Sequence, residues 1–207
     1  MQGKLRRATG LLGPMALALF AAAASGCAGA GGSTEFDPEV LETQPGWIAV
    51  PDVPVALQKE SVDCGRAALA MVLAHWDVSL DAAELVSAAP LVPGKGASAK
   101  DLRDFARKKG LEAYLIHGQV EDLRHELSDG HPVIVGLVKF APSGVATHYE
   151  VVVALNPDQG IIVTHDPANG WRQNTIEGFR REWDPAGYLA LVFVRREHQP
   201  AAPEGRP

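Results

Sequence analysis

Asp63-Cys64-Gly65-Arg66-Ala67-Ala68-Leu69-Ala70-Met71-Val72-Leu73-Ala74-His75-Trp76 is the stretch that decides the fold. Leu69, Val72, Leu73 and Trp76 recur at i, i+3, i+4 and i+7, which is one apolar face of an α-helix. Asp63 stands where an N-cap belongs, so Cys64 falls in the first turn. A helix N-terminus carries partial positive charge and unpaired N–H groups, and both favour a thiolate over a thiol. Gly65 has no Cβ and would let a substrate backbone come close. Gln58 lies six residues upstream of the cysteine, in a segment able to fold back toward the sulfur, where its amide would donate to an oxyanion. Most free cysteines are small buried hydrophobes. The cap, the glycine and the glutamine together point to a nucleophile, provided that a base is present.

A cysteine nucleophile needs an imidazole within hydrogen-bond reach and a third group to orient that imidazole. Tyr149 to Leu155 and Gly160 to Thr164 read as two strands of a hairpin joined by Asn156-Pro157-Asp158-Gln159. His148 opens the first strand and Asp166 follows the second. Both are equidistant from residue 157, so the pairing predicted from the turn puts them side by side at the open end of the hairpin. The other histidines fit less well. His165 points to the opposite face of its strand, and His75 lies roughly 16 Å along the same helix from Cys64. His117, His125, His131 and His198 read as surface, turn or tail residues.

Further helices are expected over Leu80–Ala88 with Ser79 as cap, from Ser98 to Gly110, over Val120–Leu127, and over Thr175–Trp183. Strands are expected at Leu111–Ile116, Val133–Phe140 and Tyr188–Val194, with a short extended segment at Trp47–Pro51 and loops over Pro90–Gly96 and Ala141–Thr147. Asp166 to Trp171 reads as a turn. Helices come first and antiparallel strands later. The class is therefore α+β, an N-terminal helical half packed on a C-terminal antiparallel sheet.

At the N-terminus, Lys4, Arg6 and Arg7 precede an apolar run from Leu11 to Ala24, which is too short to span a bilayer. Ala24-Ser25-Gly26-Cys27 resembles the cleavage box of bacterial lipoproteins. That resemblance implies a signal peptide over 1–26, lipidation of Cys27, a flexible tether over 27–46 and export to the periplasmic or extracellular face of a membrane. An acylated Cys27 would leave Cys64 without a disulfide partner, and an unpaired thiol in an oxidising compartment is retained for reactivity. Without Lys4, Arg6 and Arg7 the formal charge of −6 becomes −9. An acidic chain argues against nucleic acid as a partner and leaves a lipid anchor as the only membrane attachment. The scattered histidines and two cysteines carry no metal-ligand spacing, so neither metal nor cofactor is expected. Residues 197–207, rich in Pro and Ala, read as a disordered tail.

Gln58, Asp63-Cys64-Gly65 with the apolar helix behind it, His148-Tyr149 leading into Val-Val-Val, Asp166-Pro167, and Phe179 with Trp183 together resemble the double-glycine leader peptidases that process bacteriocins. The likeness runs from about residue 48 to 196. It implies a papain-like domain over 47–196 with a peptide or protein substrate; in departure from the transporter-fused members, no ATP site is expected in this chain. It also implies hydrolysis of a peptide bond after Gly-Gly through an acyl-enzyme, with Cys64 as nucleophile, His148 as base and acid, Asp166 as its orienter and Gln58 as oxyanion donor. Two other readings stay open: a papain-like module that grips a peptide without cutting it, and an amidase or transpeptidase acting on cell-wall peptides.

Overall fold

The computed structural model describes residues 32–93, 96–141 and 144–195. In chain order the elements are β1 (Thr34–Glu35), α1 (Glu39–Thr43), β2 (Ile48–Ala49), α2 (Cys64–His75), α3 (Ala82–Ala88), β3 (Leu91–Val92), β4 (Gly96–Ala97) and α4 (Ala99–Lys108). There follow β5 (Leu111–His117), α5 (Val120–Ser128), β6 (Val133–Ala141), β7 (Gly144–Asn156), β8 (Ile161–Asp166), β9 (Gly170–Thr175), α6 (Ile176–Trp183), a short 3₁₀ turn and β10 (Leu189–Arg195).

One antiparallel sheet runs in the order β1-β9-β8-β7-β6-β10-β5. β7 is its axis. β6 pairs along it from Ala141↔Gly144 to Val133↔Val152, and β2 takes over on that side at Ala154 and Leu155. The apolar face of α2 expected from the sequence is buried: Leu69, Val72 and Leu73 are inaccessible to solvent. α2 packs against β7 through Gly65, where an added Cβ would lie 3.1 Å from both the Tyr149 ring and Leu102. α6 is tied to the other face by Glu182, which meets Lys139 of β6.

The fold is a mixed α/β one, and the expected division into a helical half and a sheet half is corrected. Helices and strands interleave throughout. β5 lies between α4 and α5, among the helices, yet forms one edge of the sheet, against β10. β1 forms the opposite edge, against β9. Residues 32–46, expected to be tether, therefore include ordered structure. The anchor is Phe36, 4% exposed, whose ring meets Trp47 edge-on at 5.5 Å and Trp171 at 6.0 Å. Of the loop expected at 141–147, Ala141 ends β6 and residues 144–147 begin β7, which pairs with β6 from Gly144 onward. The stretch expected to end as a turn at Trp171 holds the first residues of β9.

Two caps differ from expectation. Asp81, not Ser79, caps α3 and accepts from the N–H groups of Ala83 and Glu84. Asp63 occupies the N-cap position of α2 but makes no capping hydrogen bond; its carboxylate pairs with Arg66 at 3.1 Å. Ser98 caps α4 as expected.

Truncating Phe36 to alanine should lower the free energy of unfolding by about 3 kcal/mol, because a buried ring leaves a cavity at the sheet edge. Denaturant unfolding checks this. An unchanged midpoint would mean that β1 adds nothing to the fold.

Candidate active site

The site sits where the sheet has a gap. β8 pairs with β7 only from Asn156 back to Val151. The 144–150 half of β7 thus has β6 on one side and, among the described residues, no strand on the other. The tip of α2 fills that edge. The backbone N–H groups of Tyr149 and Gly65 both bond the Cys64 sulfur. Cys64 is a free thiol, 5% exposed.

His148 and Asp166 are brought together, though not by the expected pairing. The register is Val151↔His165 and Val152↔Thr164, followed by a bulge before Ala154↔Val163. Continued one step outward, it sets Asp166 across from Glu150, two residues from His148. An even offset leaves side chains on the same face, so His148 and Asp166 meet as diagonal neighbours. His148 Nε2 lies 2.6 Å from Asp166 Oδ1. The same ring is hydrogen-bonded to the Cys64 thiol. With Nε2 committed to the carboxylate, Nδ1 is the nitrogen left for the sulfur. Asp166 is itself held by the Ala168 N–H at 2.8 Å and the Asn169 amide at 2.6 Å. The sequence shows Asn169 only as part of an Asp-Pro turn, so its bond to Asp166 was not legible there.

The electrostatics follow from this geometry. Burial raises the Cys64 pKa, but the His148 hydrogen bond and charge, with the Tyr149 and Gly65 N–H groups, bring it below the usual thiol value. Burial lowers the His148 pKa, yet bonds to Asp166 and Cys64 and the Asp166 and Glu150 charges lift it to about 10. Asp166 is raised by burial and lowered more by His148, Asn169 and Ala168, ending at about 2. An imidazolium beside a thiolate is the protonation state that this arrangement favours.

Gln58 lies on the segment leading into α2. Its N–H donates to the Pro167 carbonyl at 2.8 Å, which ties that segment to the turn after Asp166. Its side-chain oxygen is buried without a hydrogen-bond partner. Gly65 serves internal packing against Tyr149 and Leu102, not the approach of a substrate backbone. His165 is fully buried on the far face, edge-on to Trp171 at 4.1 Å. His75 meets the Gly130 carbonyl, and His131 meets Glu126. Cys27 lies outside the described residues.

A second charged layer interrupts the apolar run of β7. Glu150 is buried between Lys139, 2.7 Å away, and the Thr164 hydroxyl, which donates to it at 2.6 Å. Lys139 also meets buried Glu182 at 2.6 Å. Among the described residues, His148, Glu150 and Asp166 form the one group whose ligand-type atoms lie within 4.8 Å of one another. Their mutual bonds and Lys139 account for that closeness without an ion. Beside the ring a crevice of about 320 Å³ is lined by Phe140, Ala146, Asn169 and Arg172.

A cysteine held by a histidine that a carboxylate holds in turn is a thiol-hydrolase arrangement, and comparison with known proteins agrees. The sequence pattern of the Peptidase C39 family matches residues 52–197. The chain belongs to the Peptidase C39 family. It is accordingly a cysteine peptidase. The mesentericin transport/processing ATP-binding protein MesD of Leuconostoc mesenteroides is 31% identical over 126 residues. That match covers 61% of this chain, and the chain spans 17% of that relative's length.

Three solved structures share the papain-like fold of this C39 domain, each with a TM-score of 0.57. One is a double glycine motif protease from an AMS/PCAT transporter in complex with its leader peptide, 24% identical, covering 72% of this chain and 95% of that one. Another is the peptidase domain of Streptococcus ComA, a bifunctional ABC transporter of a quorum-sensing pathway, 24% identical, covering 70% and 99%. The third, a C39-like peptidase from Bacillus anthracis, is 18% identical, covering 72% and 98%.

These relatives overturn the expected location. The N-terminal reading predicts an exported, lipid-anchored protein, whereas similar peptidase domains belong to ABC transporters. That reading rested on a short motif at residues 24–27, outside both the described residues and the family match. No helix among the described residues is long and apolar enough to cross a membrane.

The Asp166 carboxylate has a folded pKa of about 2 against an ordinary value of 3.8. Its contribution to stability is present above the unfolded value and is lost as pH falls through about 2. Asp166→Asn should remove about 2 kcal/mol of acid-dependent stability. Unfolding measured from neutral pH downward checks this: the variant's curve should be flatter below about pH 4. Parallel curves would contradict the pairing with His148.

Proposed function

We propose that the chain hydrolyses a peptide bond on the carboxyl side of a Gly-Gly pair, with Cys64, His148 and Asp166 as the catalytic triad and Gln58 as oxyanion donor. Residues 47–196 would be the peptidase domain, with β1 and α1 as a strap on its sheet edge. The single observation that carries the reading is the His148 ring, bonded through Nε2 to Asp166 at 2.6 Å and coupled to the Cys64 thiol. The double-glycine part is supported by the relatives, one a transport/processing protein by name and one a double glycine motif protease bound to its leader peptide.

The chemistry runs as follows. The Cys64 thiolate attacks the carbonyl carbon and forms an Sγ–C bond while the carbonyl π pair moves to oxygen. The Cys64 backbone N–H, at the tip of α2, and the Gln58 amide receive the oxyanion. Imidazolium His148 gives its proton to the leaving amine, and the C–N bond breaks. Neutral His148 then takes a proton from water, whose oxygen attacks the thioester, and the carboxylic product leaves as the thiolate returns. Asp166 steadies the ring through both transfers.

The test uses a synthetic peptide bearing Gly-Gly ahead of a short cargo and an analogue with both glycines replaced by alanine. Cleavage of the first peptide at the glycine pair, with little of the second, is expected. Cys64→Ala should abolish cleavage, and Gln58→Ala should reduce kcat by about 10²–10³. Cleavage that persists in Cys64→Ala rejects the triad. Equal cleavage of both peptides rejects the double-glycine specificity alone.

A further inference from the structure

Glu150 has no place in the chemistry just described, yet the protein goes to some length to keep its charge. It sits two residues from His148 on β7, so both side chains leave the strand on the same side. It is 2% exposed, in an otherwise apolar run. A bare carboxylate there would be strongly disfavoured. Two elements supply partners, Lys139 of β6 at 2.7 Å and the Thr164 hydroxyl of β8 at 2.6 Å, while Glu182 of α6 meets the same ammonium at 2.6 Å. Two buried carboxylates against one ammonium leave a net negative charge beside the ring. An oxygen of Glu150 lies within 4.8 Å of a nitrogen of His148.

We propose that Glu150 is a positioning residue that acts through His148: its buried carboxylate, braced by Lys139 and Thr164, holds the transferable proton on the imidazole and thereby sets the alkaline limit of the peptidase. The inference rests on the assignment of Cys64, His148 and Asp166 as the triad. The other charged groups around the ring act in known directions. Cys64 from α2 and Asp166 from β8 favour the imidazolium as anions. Lys139, Glu182 and Arg172 share the crevice beside it. Glu150 also contributes to the upward shift of His148, after the bonds to Asp166 and Cys64. A neutral residue at 150 would leave Asp166 alone to retain the proton once Cys64 has been acylated and its charge is gone.

The test follows alkylation of Cys64 by iodoacetate across pH, in a Cys27→Ser background. The reaction forms an Sγ–C bond and expels iodide. The anionic reagent is drawn by the imidazolium, so the rate rises as the thiolate forms and falls when His148 loses its proton. Glu150→Gln preserves shape and should move the alkaline fall downward by about one pH unit, while Glu150→Asp stays near wild type. Thr164→Val removes a hydrogen bond without changing charge and should leave the fall in place. A folded Glu150→Gln protein with an unmoved alkaline fall overturns the proposal. So does a Thr164→Val shift as large as that of Glu150→Gln, because packing would then explain both. If Glu150→Gln does not fold, Glu182→Gln must move the fall in the same direction by less, and no movement overturns the proposal. A wild-type profile with no thiolate below the ordinary thiol range would instead sink the triad assignment, a distinct result.

Discussion

Everything at the site depends on the 2.6 Å bond between His148 and Asp166. It fixes which ring nitrogen faces the sulfur, and it pays for an imidazolium in a place where burial alone would strip the proton. Asp166 can do this because its own charge is secured by the Ala168 N–H and the Asn169 amide of the turn it begins. The order of dependence is backbone turn, carboxylate, imidazole, thiolate. Each charge is stabilised by the one before it, and Cys64 lies at the end of that chain.

The sheet makes room for this arrangement by being incomplete. Where β8 leaves β7, an ordinary sheet would have another strand; here the first turn of α2 closes the gap, with the Tyr149 N–H turned to the sulfur. Gly65 allows the helix to come that close, since any Cβ would press on the Tyr149 ring. Gln58 is drawn in by a backbone bond to Pro167, so one turn anchors both the carboxylate and the segment entering α2. The residues proposed as nucleophile, base and oxyanion donor thus come from α2, β7 and the loop between β2 and α2.

Much of this was legible from residues. The period of Leu69, Val72 and Leu73 found α2, and Ser98 found the start of α4, because both depend on local spacing. The hairpin placed His148 near Asp166 with the register two residues out. The cause is the turn: β7 runs on to pair Asn156 with Ile161, which centres the hairpin beyond residue 157 and sets the register three residues out, and the bulge between Val152 and Ala154 takes one of them back. β9 was missed because a strand reading Gly-Trp-Arg-Gln-Asn-Thr has little apolar alternation to show. β1 was missed because it is two residues long in a polar stretch, held by its pairing with β9, by Arg172 on Ser33 and by the buried Phe36 beside it. Asp63 reads as a cap until Arg66, one turn on, captures its carboxylate. Glu150 reads as a flaw until Lys139 is seen across the hairpin, since opposite charges in two apolar strands stabilise each other only after the strands have paired.

The most direct test is the titration of the His148 ring itself, followed by NMR in histidine-labelled protein and assigned by comparison with His148→Gln. The account predicts an imidazolium throughout the neutral range, losing its proton near pH 10. A ring that titrates near the ordinary histidine value of about 6.5 would contradict it.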